Sequence, residues 1–336
     1  MTTPVINSHN SWSKLEEVWL GDVYPSQWYN HLSQETQDVF CKLTEITKED
    51  LQIIQSTIES FGVKVRRPTY KNIDLHIEST GQLIKPQICP RDQFVTLGNN
   101  LIAHKWHTVS WQQVIDEYDQ NSDCKVILTE NANLNGANIV RIDKRLIVDT
   151  PHPESIQEDF LKNYQVEMVN NGGHLDACFA ILKPGLILAN NYFSDYDKHF
   201  PEWDKILLSQ PEFARHKRKA SPGINGGWWL PPEIKIHPSF NKHVIKHAQT
   251  WVGEYTETYF ELNCLVIDEA NVLMLGQNLA LENKLKEYGI TVHWVPFRTR
   301  SFWDGGLHCL TVDIRRNSKN SSSKLGKSNL DCAKSG

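Results

Sequence analysis

The stretch DACFAILKPGLILAN, residues 176–190, decides how this chain folds. Asp176 opens it, an apolar run follows, Lys183-Pro184-Gly185 interrupts, and a second apolar run begins at Leu186. Two short β-favouring runs about a Pro-Gly break are a hairpin signal. The same unit returns as DQFVTLGNNLIAH (92–104), NIVRIDKRLIVD (138–149) and CLVIDEANVLML (264–275). GGLHCLTVDI (305–314) has the opening without a clear return strand, and LEEVWLGD (15–22) is a weaker copy. Helix-like stretches separate the units at 46–62, 108–120, 155–164 and 278–289. The first predicts a cap at Thr47 and a stop at Gly62; the last predicts a start at Asn278 and a stop at Gly289. Hairpin, helix and strand thus alternate roughly five times. Self-similarity of this kind predicts an α/β closed radial array rather than two separate domains.

Composition narrows the function. The chain has 336 residues, 40% hydrophobic and 22% charged, enough to bury a core without disulfide or metal staples. A net charge of −5 argues against a protein built to grip nucleic acid. No run of eighteen apolar residues exists, so no membrane span is expected. The opening MTTPVINSHNSW has neither a basic nor an apolar signal region, so no secretory signal is expected. Seven scattered cysteines (41, 89, 124, 178, 264, 309 and 332) without a CxxC pair predict reduced thiols in the cytoplasm and no metal site. Residues 194–240, rich in Trp, His, Pro and Gly, are predicted to be an insertion or rim loop. Residues 317–336 are Ser/Lys/Asn-rich and predicted to be a disordered tail, leaving 1–316 as one domain.

A polar residue stands at or near the start of each first strand: Asp92, Asn135 with Asn138, His174 with Asp176, and His308 with Cys309. In a radial array these starts converge on one axis. They would supply a thiolate nucleophile, a general acid/base and anchors for a cation. A guanidinium suits that inventory. Carboxylates can hold its N–H edges, a thiolate can attack its central carbon, and a histidine can protonate the departing amine. Gly305-Gly306 before Cys309 suggest a close backbone approach there, whereas Cys178 and Cys264 read as small core residues. Strand alternation would put His174 and Asp176 on one face and turn His308 away from Cys309, into a structural role.

Pro90-Arg91-Asp92, His174-Leu175-Asp176-Ala177 and the run from Gly305 to Arg316 resemble the glycine amidinotransferase family, whose bacterial members include enzymes of natural-product pathways. The likeness runs from Val5 to Arg316. It implies a five-bladed pseudosymmetric α/β-propeller (pentein) of ββαβ-type repeats. It also implies Cys309 as the nucleophile that carries the amidino group, His174 as proton shuttle, and Asp92 and Asp176 as guanidinium ligands. A small-molecule guanidino donor, an amine acceptor, no cofactor and a homodimer follow by the same analogy. The chain departs from the family at Asn135 and Asn138, where carboxylates stand, the first partnering the histidine. It departs again at Phe193, where some arginine-binding members carry an Arg. Asn135 can still fix an imidazole tautomer but cannot stabilise imidazolium by charge. Phe193 suggests a substrate without a free carboxylate. Two other readings stay open: a guanidine-modifying hydrolase, with water in place of the amine, and an inert binding protein of the same fold.

Overall fold

The computed structural model describes residues 5–70, 82–104, 109–121, 123–130, 135–150, 159–171, 174–191, 193, 195–208, 230–252 and 260–317. Its strands form five three-stranded sheets. The first joins β1 (Leu15–Leu20) and β2 (Lys64–Arg66) to a strand from the far end of the chain. The second holds β3 (Phe94–Leu97), β4 (Asn100–His104) and β5 (Lys125–Thr129). The third holds β6 (Ile139–Ile142), β7 (Arg145–Asp149) and β8 (Gln165–Val169). The fourth holds β9 (Phe179–Lys183), β10 (Leu186–Ala189) and β11 (Asp204–Leu207). The fifth holds β12 (Leu265–Asp268), β13 (Asn271–Leu275) and β14 (Thr291–Val295). The strand that completes the first sheet is β15 (Thr311–Arg316).

In every sheet the middle strand pairs antiparallel on one side and parallel on the other. A parallel neighbour needs a crossover. Helices α1 (Gln34–Ser60), α2 (Gln112–Asp119) and α3 (Tyr196–His199) lie in three of these crossovers. This is the five-fold α/β-propeller, and it explains the two defective repeats. β15 and β1 pair antiparallel, Leu20 opposite Thr311 and Val18 opposite Asp313. The unreturned opening at 305–314 and the weak copy at 15–22 are therefore two halves of one blade, closed across the length of the chain.

The hairpin turns follow the sequence. Gly185 takes a φ of +83°, a conformation that costs other residues strain. α1 starts earlier than expected. Thr47 is not its cap but lies mid-helix, fully buried, donating to the Leu43 carbonyl at 2.7 Å and accepting the Trp303 indole N–H at 2.9 Å. The apolar spacing continues upstream through Val39, Phe40, Leu43 and Ile46, and burying each such side chain contributes about 1.5–3 kcal/mol. The stop at Gly62, with φ +77°, is as read.

Of the stretch 155–164, the described part is a 3₁₀ turn over Asp159–Asn163. The expected insertion at 194–240 begins inside the fourth blade, since β11 pairs in its sheet and α3 lies in the crossover that leads to it. Residues 209–229, including Gly226-Gly227-Trp228-Trp229, lie outside the described residues, as does the tail from 318. From 230 the chain packs on the core through α4 (Pro238–His247), where Phe240 meets Phe40 at 4.8 Å between ring centroids. A last crossover holds α5 (Leu279–Glu287), capped by Asn278, whose side chain accepts the Leu281 N–H at 3.0 Å; α6 (Arg300–Trp303) precedes the Gly305 turn.

An ion centre at Asp313 ties three blades together. Its carboxylate accepts from Arg91 (2.8 Å), Arg141 (2.7 and 2.6 Å), Arg316 (2.7 Å) and Ser8 (3.0 Å), all buried. Burial alone would raise this carboxyl, but the three guanidiniums hold it well below the ordinary range. Among the described residues, no helix is long and apolar enough to cross a membrane.

Candidate active site

Before three of the hairpins the chain makes a single 3₁₀ turn, over Pro90–Asp92, Gly136–Asn138 and Leu175–Ala177; residues 307–310 form a comparable turn before β15. The polar residues sit on these turns and not on strands, so the two-residue alternation expected for them does not hold. Neighbouring turns interlock. A Cβ on Gly136 would lie 2.4 Å from the Phe94 carbonyl oxygen and 2.5 Å from that of Arg91, so only glycine fits.

Cys309 is 6% exposed. Its thiol donates to Asp176 Oδ2 at 3.4 Å, and Asn263 Nδ2 donates to its sulfur at 3.0 Å. The Cys309 N–H donates to Asn263 Oδ1 at 2.9 Å. Burial, then the charges of Asp176 and Asp92 and the neighbouring Cys89, push this thiol well above its usual range; the Asn263 bond pulls the other way. The glycine pair does what its sequence suggested. A Cβ on Gly305 would meet Cys89 Sγ at 2.8 Å, and one on Gly306 would meet Asn263 Cβ at 2.6 Å.

His308 does not face away from the site. Its Nδ1 lies 2.8 Å from the Asp176 Oδ2 that also accepts the Cys309 thiol. Burial and the nearby Arg91 lower the His308 imidazole. Burial would raise Asp176, but the His308 bond and neighbouring imidazoles outweigh it and the carboxyl ends below its ordinary value. The pair therefore stands as a carboxylate accepting from a neutral Nδ1–H. Asp176 Oδ1 is buried without a partner, and so is Asp92 Oδ1. Burial first, then repulsion from Asp176 and Asp304 against attraction from His174 and Lys85, raises Asp92 to about 6.

His174 is exposed, and its Nε2 lies 3.3 Å from Asn135 Nδ2. Asn135 Oδ1 accepts the Ala137 N–H at 2.8 Å, which fixes the amide so that its NH₂ faces the imidazole. Asn135 accordingly donates to His174 Nε2, leaving the ring proton on Nδ1. The turn carrying Asn138 touches those carrying Asp92 and Asp176, and Asn138 Oδ1 is a further buried, unpartnered acceptor. Phe193 is elsewhere: it is 5% exposed and packs against Phe179 (5.4 Å), Tyr196 (5.0 Å) and His199 (5.4 Å) in the core of the fourth blade. Gly172-Gly173, before His174, lie outside the described residues.

Beneath Asp176 and His308, a space of about 50 Å³ reaches Arg141, Asp313 and Arg316. It suits a few waters and is far smaller than the roughly 300 Å³ of a ligand pocket. Among the described residues, no group of three or more His, Cys, Asp or Glu is placed to hold a metal ion. Sequence reasoning missed Asn263 and the link from His308 to Asp176. Asn263 was within reach, because it stands two residues before β12 as Asp92 stands two before β3.

The five-bladed α/β-propeller is the pentein fold, and the turns before its strands carry a buried cysteine, two carboxyls with bare oxygens and a histidine. Comparison with known proteins agrees. The chain is 22% identical to the mitochondrial glycine amidinotransferase of Xenopus tropicalis, over 92% of this chain and 82% of that one. Among solved structures it resembles the inosamine-phosphate amidinotransferase of Streptomyces griseus, with TM-score 0.66, 18% identity, and 93% of this chain and 97% of that one covered. It resembles equally SxtG, an amidinotransferase of the saxitoxin biosynthetic pathway from Microseira wollei, with TM-score 0.66, 20% identity and the same coverage. No protein-family model matches the chain. Amidinotransferases are thus its homologues over nearly the whole sequence, as the three motifs implied.

Proposed function

We propose that this protein is an amidinotransferase of natural-product biosynthesis, which moves an amidino group from a guanidino donor to an amine acceptor through Cys309. The observation that carries this reading is the Cys309 thiol bonded to Asp176, whose other oxygen is buried and bare, with a second bare carboxyl oxygen at Asp92. Buried acceptors without donors are costly, and a guanidinium supplies up to five planar N–H groups. Asp92 and Asp176 hold the donor, with the Asn138 carbonyl oxygen accepting from its outer edge.

Cationic substrate also addresses the thiol. In the empty site Cys309 stays protonated, and a guanidinium between Asp92 and Asp176 offsets the charges that oppose its ionisation. The sulfur then forms a bond to the guanidinium carbon and the C–N bond to the donor amine breaks. The thiol proton passes to His174, which in turn protonates the departing nitrogen. In the second half an acceptor amine attacks the S-amidino carbon, the C–S bond breaks, and the amine's proton returns through His174 to the sulfur. No net proton is gained or lost in either half.

The test is incubation with L-arginine, with and without a panel of primary amines. Guanidinylated amine and ornithine in equal amounts, lost in Cys309→Ala, support transfer. Ammonia release that needs no acceptor would make the protein a hydrolase instead.

A further inference from the structure

The fifth blade contributes a residue that this scheme leaves without a role. Asn263 is 6% exposed and grips the nucleophile's turn at three points: Oδ1 on the Cys309 N–H, Nδ2 on the Cys309 sulfur, and its carbonyl oxygen on the His308 N–H at 3.1 Å. A backbone N–H can only donate, so the bond from Cys309 fixes which end of the amide is oxygen. The NH₂ must then face the sulfur. Gly306 lets this happen, since any Cβ there would displace Asn263. Around the sulfur, Asp176, Asp92 and Cys89 all oppose negative charge, and Asn263 supplies a neutral donor against them.

We propose that Asn263 is a catalytic hydrogen-bond donor to the Cys309 thiolate. A neutral donor is stronger towards an anionic sulfur than towards a thiol or an S-amidino sulfur. The bond therefore tightens as the thiol gives up its proton before attack, and again when the acceptor expels the sulfur with its electron pair. It favours sulfur as nucleophile in the first half and as leaving group in the second. The proposal rests on Cys309 being the nucleophile.

Asn263→Asp separates the two functions of the side chain, because one oxygen still accepts the Cys309 N–H while the other replaces the donor. The readout is the pH dependence of iodoacetamide alkylation at Cys309, followed by peptide mass. We expect alkylation at pH 7.5 to slow by about ten- to a hundredfold and its midpoint to move to higher pH, with kcat on L-arginine falling by a similar factor and KM changing less than about threefold. A folded variant with an unshifted alkylation profile and unchanged kcat overturns the proposal. Should the aspartate variant not fold, Asn263→Ala is read the same way: slowed alkylation supports the donor role and an unchanged profile overturns it. If unmodified protein forms no adduct with L-arginine at Cys309, the nucleophile assignment itself fails, and the Asn263 proposal with it.

Discussion

Asp92→Asn should make this protein more stable while removing its donor site, and the gain should depend on pH. Asp92 closes the 3₁₀ turn before β3 with Oδ1 buried and unpartnered. Its carboxyl is raised from an ordinary 3.8 to about 6, by burial first and then by Asp176 and Asp304. The folded chain therefore holds this proton more tightly than the unfolded chain. Ionising Asp92 costs folding free energy: nothing below about pH 4, increasingly through pH 4–6, and fully above 6. At about 1.4 kcal/mol per pH unit, the full cost is about 3 kcal/mol. An isosteric amide escapes it. Urea unfolding of the ligand-free protein should show Asp92→Asn more stable by about 3 kcal/mol at pH 7.5 and by only about 1 kcal/mol at pH 4.5. Turnover of L-arginine should be lost. A variant no more stable than the parent at pH 7.5, or a gain equal at both pH values, would refute the reasoning that Asp92 is held poised for a cation.

Three further outcomes are expected. Asn135→Asp keeps the Ala137 bond but turns a donor facing His174 Nε2 into an acceptor for imidazolium, so turnover of L-arginine should rise about tenfold; no gain would mean that the pocket is built around the amide for another substrate. Gly306→Ala should cost about 1–3 kcal/mol in urea unfolding and slow Cys309 alkylation, by displacing Asn263; normal values for both would contradict the packing described. Arg141→Met should destabilise the fold by about 3–5 kcal/mol, because it removes two bonds, of 2.7 and 2.6 Å, to buried Asp313; a loss under about 1 kcal/mol would show that Arg91 and Arg316 suffice.

The hairpins were legible because their signals are local. Lys183-Pro184-Gly185 and Asp143-Lys144 turn the chain where a positive φ is needed, and β-favouring runs flank them. The first blade was not legible as a blade, since its antiparallel pair joins Leu15 to Arg316 and nothing near either residue announces the other. The 3₁₀ turns escaped for a different reason. Three residues have no period, so His174 and Asp176, or His308 and Cys309, were read by strand alternation when a turn was folding them inward. Thr47 misled because Thr-x-x-Asp is a cap only where apolar spacing begins, and here it had already begun at Val39. That Cys309 and Asp176 come together was legible in the sequence. That Asn135 points a donor at His174 required the Ala137 N–H to fix the amide, and the place of Phe193 among Phe179, Tyr196 and His199 required the packing.

Mass spectrometry of the protein quenched in acid after brief exposure to L-arginine tests the central claim most directly. An amidino group should be found on the Cys309 peptide alone, should disappear when a competent amine is added, and should be absent from Cys309→Ala. Turnover of L-arginine with no modified cysteine, or an adduct that persists in Cys309→Ala, would contradict it.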